Sequence, residues 1–169
     1  MPRVGIALGS NLGPRLTNLQ AARDLLRSLA RPGTKLLQAP IYQTAPLRCP
    51  TDSPDFFNTV VEIDYDATPD ELLHHTQAIE TALGRTRSAA ATNAPRLIDV
   101  DLLYFDAAAR QTAELQLPHP RLRQRRFVLQ PLADIRPHLI LPGDDLTIAE
   151  HLARLQSSEP ALTLVLADW

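Results

Sequence analysis

The stretch PRLIDVDLLYF, Pro95–Phe105, constrains the fold most, because it sets two carboxylates inside an otherwise apolar strand. Side chains alternate along a strand, so Asp99 and Asp101 share one face, with Cα atoms roughly 7 Å apart. Like charges there repel and are costly to desolvate unless a cation or donors compensate. A divalent metal such as Mg²⁺, shared with phosphate oxygens, would remove that cost. The alternative is one capping and one solvated aspartate on an edge strand, and the local sequence leaves both interpretations open.

Composition narrows the functional classes. The chain has 169 residues, 44% of them hydrophobic and 21% charged, which is typical of one soluble globular domain spanning 1–169. A net charge of −2 argues against nucleic-acid binding through general phosphate contacts. The N-terminus lacks the apolar core of a signal peptide and no apolar run is long enough for a membrane span. The lone Cys49 excludes an internal disulfide and fits a cytoplasmic protein.

Hydrophobic periodicity predicts an α+β, ferredoxin-like (βαββαβ) core with a C-terminal hairpin and helix extension. The predicted strands are Arg3–Leu8, Leu36–Tyr42, Phe56–Tyr65 and the aspartate strand within Pro95–Phe105. The predicted helices are Leu16–Leu29, with Ser10 or Asn11 as its cap, and a second that starts at Thr68 and closes at Gly84. A hairpin near Leu115–Leu117 and a helix near Ile148–Leu155 follow.

Basic residues cluster on both sides of the aspartate strand. Arg85, Arg87 and Arg96 border the loop that leads to it, and an arginine-rich segment, 121–126, follows His119. Cations beside a carboxylate–metal centre suit polyphosphate transfer, because charge must be neutralised on several oxygens at once. A solvated basic surface is the alternative. The histidine between two prolines is a stiff placement that argues against that alternative.

Two further patterns carry chemistry less directly. Phe56 and Asn58 share one strand face, which suits a flat heteroaromatic ring with hydrogen-bonding edges. Phe57 and Val60 are expected to point the other way, into the core. A core phenylalanine with a turn-capping asparagine is the competing interpretation. Gly9–Gly13 lacks the spacing of a phosphate loop and is interpreted as a tight connection.

Taken together, six segments in this order resemble the 6-hydroxymethyl-7,8-dihydropterin pyrophosphokinase family. The resemblance covers about Ala7 to Pro142, and its most specific strings are PR-x-x-D-x-D-x-x-x-F and LPHPR with RxFVLxPL. It implies a ferredoxin-like fold, a monomer, and pyrophosphoryl transfer from ATP to the hydroxymethyl group of the pterin. The matching segments are ALGSNLG (7–13), IYQTAPL (41–47), DFFNTVVEI (55–63), ELLHHTQAIETALGRTR (71–87), PRLIDVDLLYF (95–105) and LPHPRLRQRRFVLQPLADI (117–135).

The resemblance also implies roles for individual residues. Asp99 and Asp101 would hold two Mg²⁺ ions between the ATP phosphates and the acceptor oxygen, and Arg87 and Arg96 would complete the catalytic group by clamping the phosphates. The implied ATP-binding residues are Gln77, Glu80, Arg85, Arg87, Arg96, His119 and Arg125. The implied pterin-binding residues are Thr44, Leu47, Phe56, Asn58 and Phe127, with Phe56 and Phe127 sandwiching the ring.

Two positions depart from the family pattern. Phe56 stands where tyrosine is common, so stacking is kept and a hydroxyl is lost. The Ala-rich loop 89–94 replaces an aromatic pair, and we expect the Arg87–Arg96 loop to become ordered only with both substrates. Two other functions remain open: a D-x-D nucleotidyl- or glycosyl-transferase, and a non-catalytic ferredoxin-like ligand-sensing module.

Overall fold

A computed structural model describes residues 1–46, 49, 51–84 and 94–169. The strands are β1 (Arg3–Ser10), β2 (Leu37–Gln38), β3 (Ile41–Thr44), β4 (Phe56–Asp64), β5 (Asp99–Phe105), β6 (Arg110–Gln111), β7 (Gln116–Leu117) and β8 (Thr163–Leu166). The helices are α1 (Arg15–Leu29), α2 (Pro69–Ala82), α3 (Arg126–Ile135) and α4 (Ile148–Arg154), with a 3₁₀ turn at Leu122–Gln124. No helix in these ranges is long and apolar enough to cross a membrane.

One antiparallel sheet organises the chain. Its strand order is β5-β1-β4-β3-β8, and the short β2 also pairs with β4. Strand β1 lies between β5 and β4, and it pairs with β4 over its whole length, from Arg3 opposite Asp64 to Ser10 opposite Phe57. With α1 and α2 as the crossovers, this order confirms the predicted α+β, ferredoxin-like core. The β6–β7 hairpin and α4 confirm the predicted extension.

The two faces of the sheet carry different residues because β1 alternates strictly. Val4, Ile6 and Leu8 pack in the core beneath α1 and α2. On the opposite face, beyond Arg3 at its start, β1 presents the small residues Gly5, Ala7 and Gly9. Helices α3 and α4 pack there over a second cluster that includes Val60, Leu103 and Tyr104, Leu129 and Ile148.

The sequence predicted helix α2 well and the start of α1 badly. The helix starts after Thr68 as predicted, with Pro69 in the first turn, and the structure shows that Thr68 and Glu71 form a reciprocal capping box there. Helix α1 begins at Arg15 with no side-chain cap, so the prediction that Ser10 or Asn11 caps it is wrong. The physical reason is competition, because the Asn11 amide is engaged by distant backbone groups instead.

Three other predictions are corrected. The strand predicted at Leu36–Tyr42 is two strands, β2 and β3, separated at Ala39–Pro40, where proline has no N–H for a ladder. Val60 lies on the same face as Asn58, because strand side chains repeat every two residues, so its predicted opposite placement is wrong. Helix α3 and strand β8 were not predicted, since arginines and Pro131 obscure the apolar period of α3 and β8 has only four residues.

Candidate active site

A cleft of about 600 Å³ opens on the α3 side of the sheet. Its floor is the β1 backbone at Ala7 and Gly9, with β4 on one side and β5 on the other. A Cβ added to Gly9 would lie 2.9 Å from Asn58 Oδ1 and 4.0 Å from the Cβ of Asp99. The small residues of β1 therefore leave room between an amide on β4 and the carboxylates on β5.

Nine of the residues predicted for the site line this one cleft. They come from segments far apart in sequence: β3, β4, β5 and its preceding loop, the segment after β7, and the start of α3. They are Thr44, Phe56, Asn58, Arg96, Asp99, Asp101, His119, Arg125 and Phe127. Gln77 and Glu80 do not line it. Leu47, Arg85 and Arg87 lie outside the residues that the structure describes.

The two aspartates have different surroundings. In the ladder with β1, Asp99 lies opposite Gly9 and Asp101 opposite Ala7, and β5 is the edge strand of the sheet. Arg96 Nη1 donates to both oxygens of Asp99, at 2.9 and 3.1 Å, and the two side chains are 22% and 19% exposed. Asp101 is exposed. The pair therefore combines one carboxylate that a cation shields with a second that is open to the cleft.

Glu80 positions the aspartate strand from behind. Its side chain is 4% exposed, and Oε1 accepts a hydrogen bond of 2.9 Å from the backbone N–H of Val100, the residue between the two aspartates. Glu80, which the resemblance implied to be an ATP-binding residue, thus contacts the β5 backbone and does not line the cleft. Gln77 is half-buried on the same helix, where its backbone oxygen accepts from Thr81 Oγ1 at 3.0 Å.

Asn11 is a site-building residue that sequence reasoning missed. It is 1% exposed, and its Oδ1 accepts from the backbone N–H of Arg96 at 2.8 Å, while its own N–H donates to the Arg96 carbonyl at 3.2 Å. Its Nδ2 also donates to the Pro54 carbonyl at 3.1 Å. These bonds tie the turn after β1 to the loop before β5 and to the approach to β4. An asparagine directly after an apolar strand was the available signal.

His119 enters the cleft as a neutral hydrogen-bond donor. Its backbone N–H donates to Leu103 O at 2.7 Å, which fixes the segment along the outer edge of β5. The ring Nδ1 accepts from the backbone N–H of Arg121 at 3.2 Å, so Nε2 carries the proton. Burial, followed by the charges of Arg125 and Arg121, lowers the pKa of His119 to about 4.

Arg125 lies in the cleft among groups of both charge signs. Burial and Arg121 lower the pKa of its guanidinium, whereas Asp101, Glu159 and Asp99 raise it. Arg121, the first residue of the arginine-rich segment 121–126, also lines the cleft. With Arg96, these residues give the cleft wall a concentration of positive charge next to the aspartate pair.

Another part of the cleft wall is lined by two aromatic rings and an amide. Asn58 Nδ2 donates to Thr44 Oγ1 at 2.7 Å, and both side chains are buried. Phe56 on β4 and Phe127 on α3 line the same cavity. The Arg125 guanidinium lies 5.4 Å from the ring centre of Phe127, within cation–π range. A flat ligand would meet ring faces and the oxygen of a fixed amide here.

Other lining residues carried no sequence signal for a site. Cys49, interpreted as incidental, borders the cleft, and so does the segment Gln156–Glu159 between α4 and β8. That segment contains no recognisable motif, and only the fold brings it to the cleft.

The carboxylate oxygens of the cleft suit a metal ion that a bound ligand also coordinates. Within the described ranges, no three His, Cys, Asp or Glu side chains form a cluster that could hold a metal alone. Asp99 and Asp101 are the carboxylates of the cleft that face the floor at β1. Two carboxylates with further oxygens from a polyphosphate are an ordinary Mg²⁺ environment.

Comparison with known proteins identifies close relatives. The chain is 40% identical over 159 residues to the 2-amino-4-hydroxy-6-hydroxymethyldihydropteridine pyrophosphokinase of Methylorubrum extorquens, covering 94% of this chain and 96% of that protein. Identity to the enzyme of the same name from Pseudomonas aeruginosa is 39% over 159 residues, covering 94% and 92%. For the Bacillus subtilis enzyme it is 45% over 130 residues, covering 77% and 75%.

Solved structures support the fold. A crystal structure of an HPPK-DHPS in complex with substrates superposes with a TM-score of 0.69 at 13% identity, covering 90% of this chain and 43% of that one. Wild-type Plasmodium falciparum HPPK-DHPS with pteroate gives a TM-score of 0.70 at 13% identity, covering 90% and 42%. The chain spans less than half of each of these, and such identities establish the fold alone. The family model of 7,8-dihydro-6-hydroxymethylpterin-pyrophosphokinase matches residues 5–137, and the chain therefore belongs to that family.

Proposed function

We propose that this chain transfers pyrophosphate from ATP to the hydroxymethyl group of 6-hydroxymethyl-7,8-dihydropterin, with release of AMP, in folate biosynthesis. The observation that carries the proposal is the convergence of an aspartate pair, a basic wall and an aromatic–amide part in one cleft of a family member. The hydroxyl oxygen forms a bond to the β-phosphorus, the bond from that phosphorus to the bridging oxygen of AMP breaks, and the hydroxyl proton leaves to solvent.

The pterin binds in the part of the cleft formed by β3, β4 and the start of α3. Its ring lies between Phe56 and Phe127, and Asn58 pairs with the ring edge while Thr44 holds the Asn58 amide in place. This placement points the hydroxymethyl group toward β5, where Asp99 and Asp101 lie across the Gly9 floor. The residue Leu47 belongs to the same proposal through the family resemblance.

ATP binds along the basic wall. Arg96 pairs with Asp99 in this structure, and its guanidinium would pair with a phosphate instead if Asp99 held a cation. His119 donates from Nε2, and Arg125 neutralises phosphate charge from the α3 side. Arg85, Arg87 and Gln77 complete the proposed nucleotide contacts on the strength of the resemblance alone. Glu80 holds the β5 backbone in register.

Asp99 and Asp101 would hold two Mg²⁺ ions together with the phosphate oxygens. When bound, the metal neutralises the transferring phosphates and lowers the pKa of the attacking hydroxyl, so no side-chain base is required. We further propose that the enzyme acts as a monomer in the cytoplasm, without nucleic-acid or membrane partners.

A product assay tests the proposal. Purified chain is incubated with ATP, Mg²⁺ and the dihydropterin, and nucleotides are separated by chromatography. AMP should form in equal amount to the pyrophosphorylated pterin, and only when both Mg²⁺ and the pterin are present. ADP in place of AMP would indicate an ordinary kinase. Pterin binding with no nucleotide turnover would indicate the sensing module instead.

A further inference from the structure

Helix α3 carries Arg125 at its N-cap and Phe127 in its first turn, yet it lacks a cap of its own. Helices α2 and α4 each begin with a local capping box, at Thr68–Glu71 and Thr147–Glu150. Helix α3 has no side-chain cap from its N-cap residue and no acidic residue in its first turn. The helix that presents two proposed substrate contacts thus depends on another segment for its N-terminal N–H groups.

Glu159 supplies that missing contact from 33 residues further along the chain. Its Oε2 accepts from the backbone N–H of Arg126, the first residue of α3, at 3.3 Å. A carboxylate at this position also interacts favourably with the positive end of the helix dipole. The Glu159 N–H donates to Ser157 Oγ at 3.0 Å, which fixes the turn that presents the carboxylate.

The segment Gln156–Glu159 is anchored on both sides of the cleft that it lines. Before it, α4 packs against α3. After it, β8 pairs with β3, the strand that ends at Thr44. At the C-terminus Trp169 Nε1 donates to the Ala39 carbonyl at 2.8 Å. Glu159 is therefore held by elements other than the helix start that it contacts.

The charges around Arg125 agree with this geometry. The carboxylates of Asp101, Glu159 and Asp99 all favour the charged form of Arg125, against burial and the neighbouring Arg121, which lower its pKa. Glu159 also borders a second cavity of about 360 Å³ with Arg126, so its carboxylate lies where the two cavities meet.

We propose that Glu159 is a positioning residue of the pyrophosphoryl-transfer site, which fixes the first turn of α3 so that Arg125 and Phe127 project into the cleft at productive angles. The kinetic part of this inference rests on the proposed function. The structural part, that Glu159 orders the backbone amide of Arg126, does not depend on any enzymatic activity.

The test compares three variants of the full chain: E159A, E159Q and the matched control E150A. Glu150 performs the same capping on α4 and does not line the cleft. Losing a helix cap shifts the equilibrium for forming the helix start by about fivefold, and a first turn that is less populated presents Arg125 and Phe127 less often. E159A should therefore raise KM for both ATP and the pterin by about that factor, whereas E150A should lower Tm and leave both KM values unchanged. E159Q keeps an acceptor oxygen and should lie between wild type and E159A.

Amide hydrogen exchange at Arg126 and Phe127, measured without substrates, provides the readout that does not need turnover. E159A should exchange faster there than wild type, and E150A should not. The inference is overturned if E159A changes Tm as E150A does while both KM values and the Arg126 exchange rate stay at wild-type levels. Absence of AMP release from the wild-type chain would refute the proposed function, and the exchange result would still decide the role of Glu159. If E159A fails to fold, E159Q serves in both measurements.

Discussion

The two faces of the central sheet are built on opposite principles. Under α1 and α2, β1 contributes Val4, Ile6 and Leu8, and the layer is filled with apolar side chains from neighbouring helices. Under α3 and α4 the same strand contributes Gly5, Ala7 and Gly9, and the part of the face next to Ala7 and Gly9 stays open as the cleft. A single alternating strand therefore serves both purposes, because its pleat separates core volume from binding volume.

The part of this face that α3 and α4 cover also differs in its chemistry from the face under α1 and α2. Glu62 is 4% exposed, and Tyr104 and Arg136 both donate to its carboxylate, with Arg136 Nε at 3.0 Å. Burial and the adjacent carboxylate raise the pKa of Tyr104. Buried charge is tolerated there because its partners satisfy it. The α1–α2 face relies on apolar contact, whereas the α3–α4 face adds long-range polar pairs.

The largest expected effect comes from removing a cleft carboxylate. D101A should reduce pyrophosphoryl transfer by about 10³-fold or more, because charge neutralisation at the phosphates is lost. Its Tm should stay close to wild type, since Asp101 is exposed. AMP release and thermal unfolding measure the two effects. The control is D66A, which removes an exposed aspartate away from the cleft. Transfer at the wild-type rate by D101A would contradict the assignment.

The second-largest expected effect concerns the face of the sheet that α1 and α2 cover. Leu19 is 0% exposed in the α1–α2 core, so L19A should lower the free energy of unfolding by about 2–5 kcal/mol. KM for both substrates should not change, because the cavity forms on the far side of the sheet. Urea unfolding and steady-state kinetics test both statements. Leu12, 44% exposed, provides the control L12A. A large KM change in L19A would show that the two faces are coupled.

Two glycines of β1 sharpen the comparison within one face. A Cβ at Gly9 would intrude on Asn58, so G9A should raise KM for the pterin by about tenfold with a smaller loss of stability. A Cβ at Gly5 would lie 2.1 Å from a ring carbon of Tyr104, so G5A should act chiefly on stability. Binding titrations and urea unfolding separate the two. If both variants shift the same quantity, the face has no division between cleft and core.

The smallest effect is a pH dependence. The folded-state pKa of His119 is about 4, below its ordinary value of roughly 6.5. The unfolded chain therefore binds more protons between these values, and stability falls as pH drops from 6.5 toward 4. H119N removes the proton uptake of His119 on unfolding. Between pH 7 and pH 5 the free energy of unfolding of H119N should therefore fall by less than that of wild type. Urea unfolding at the two pH values measures it, and equal losses would contradict the burial of a neutral His119.

Sequence reasoning succeeded where two interacting residues lie close together along the chain. The start signals of α2 at Thr68–Glu71 lie within four residues, and they predicted the helix correctly. The alternation of Asp99 and Asp101 predicted their shared face. Sequence reasoning failed where the partner residue is distant along the chain. Asn11 bonds Arg96, 85 residues away, and Glu159 caps Arg126, 33 residues away. No local pattern reports such pairs, because neither residue is unusual in its own surroundings.

By itself the amino-acid sequence determined the ferredoxin-like core up to β5, the side chains available for chemistry and, through its motifs, the family. Strand periodicity and local capping act over a few residues, so these properties can be read along the chain. Only the tertiary structure decided that Gly9 forms the floor between Asn58 and Asp99, and that Glu159 meets the start of α3. Strand order and register bring those groups together, and both depend on how the whole core packs.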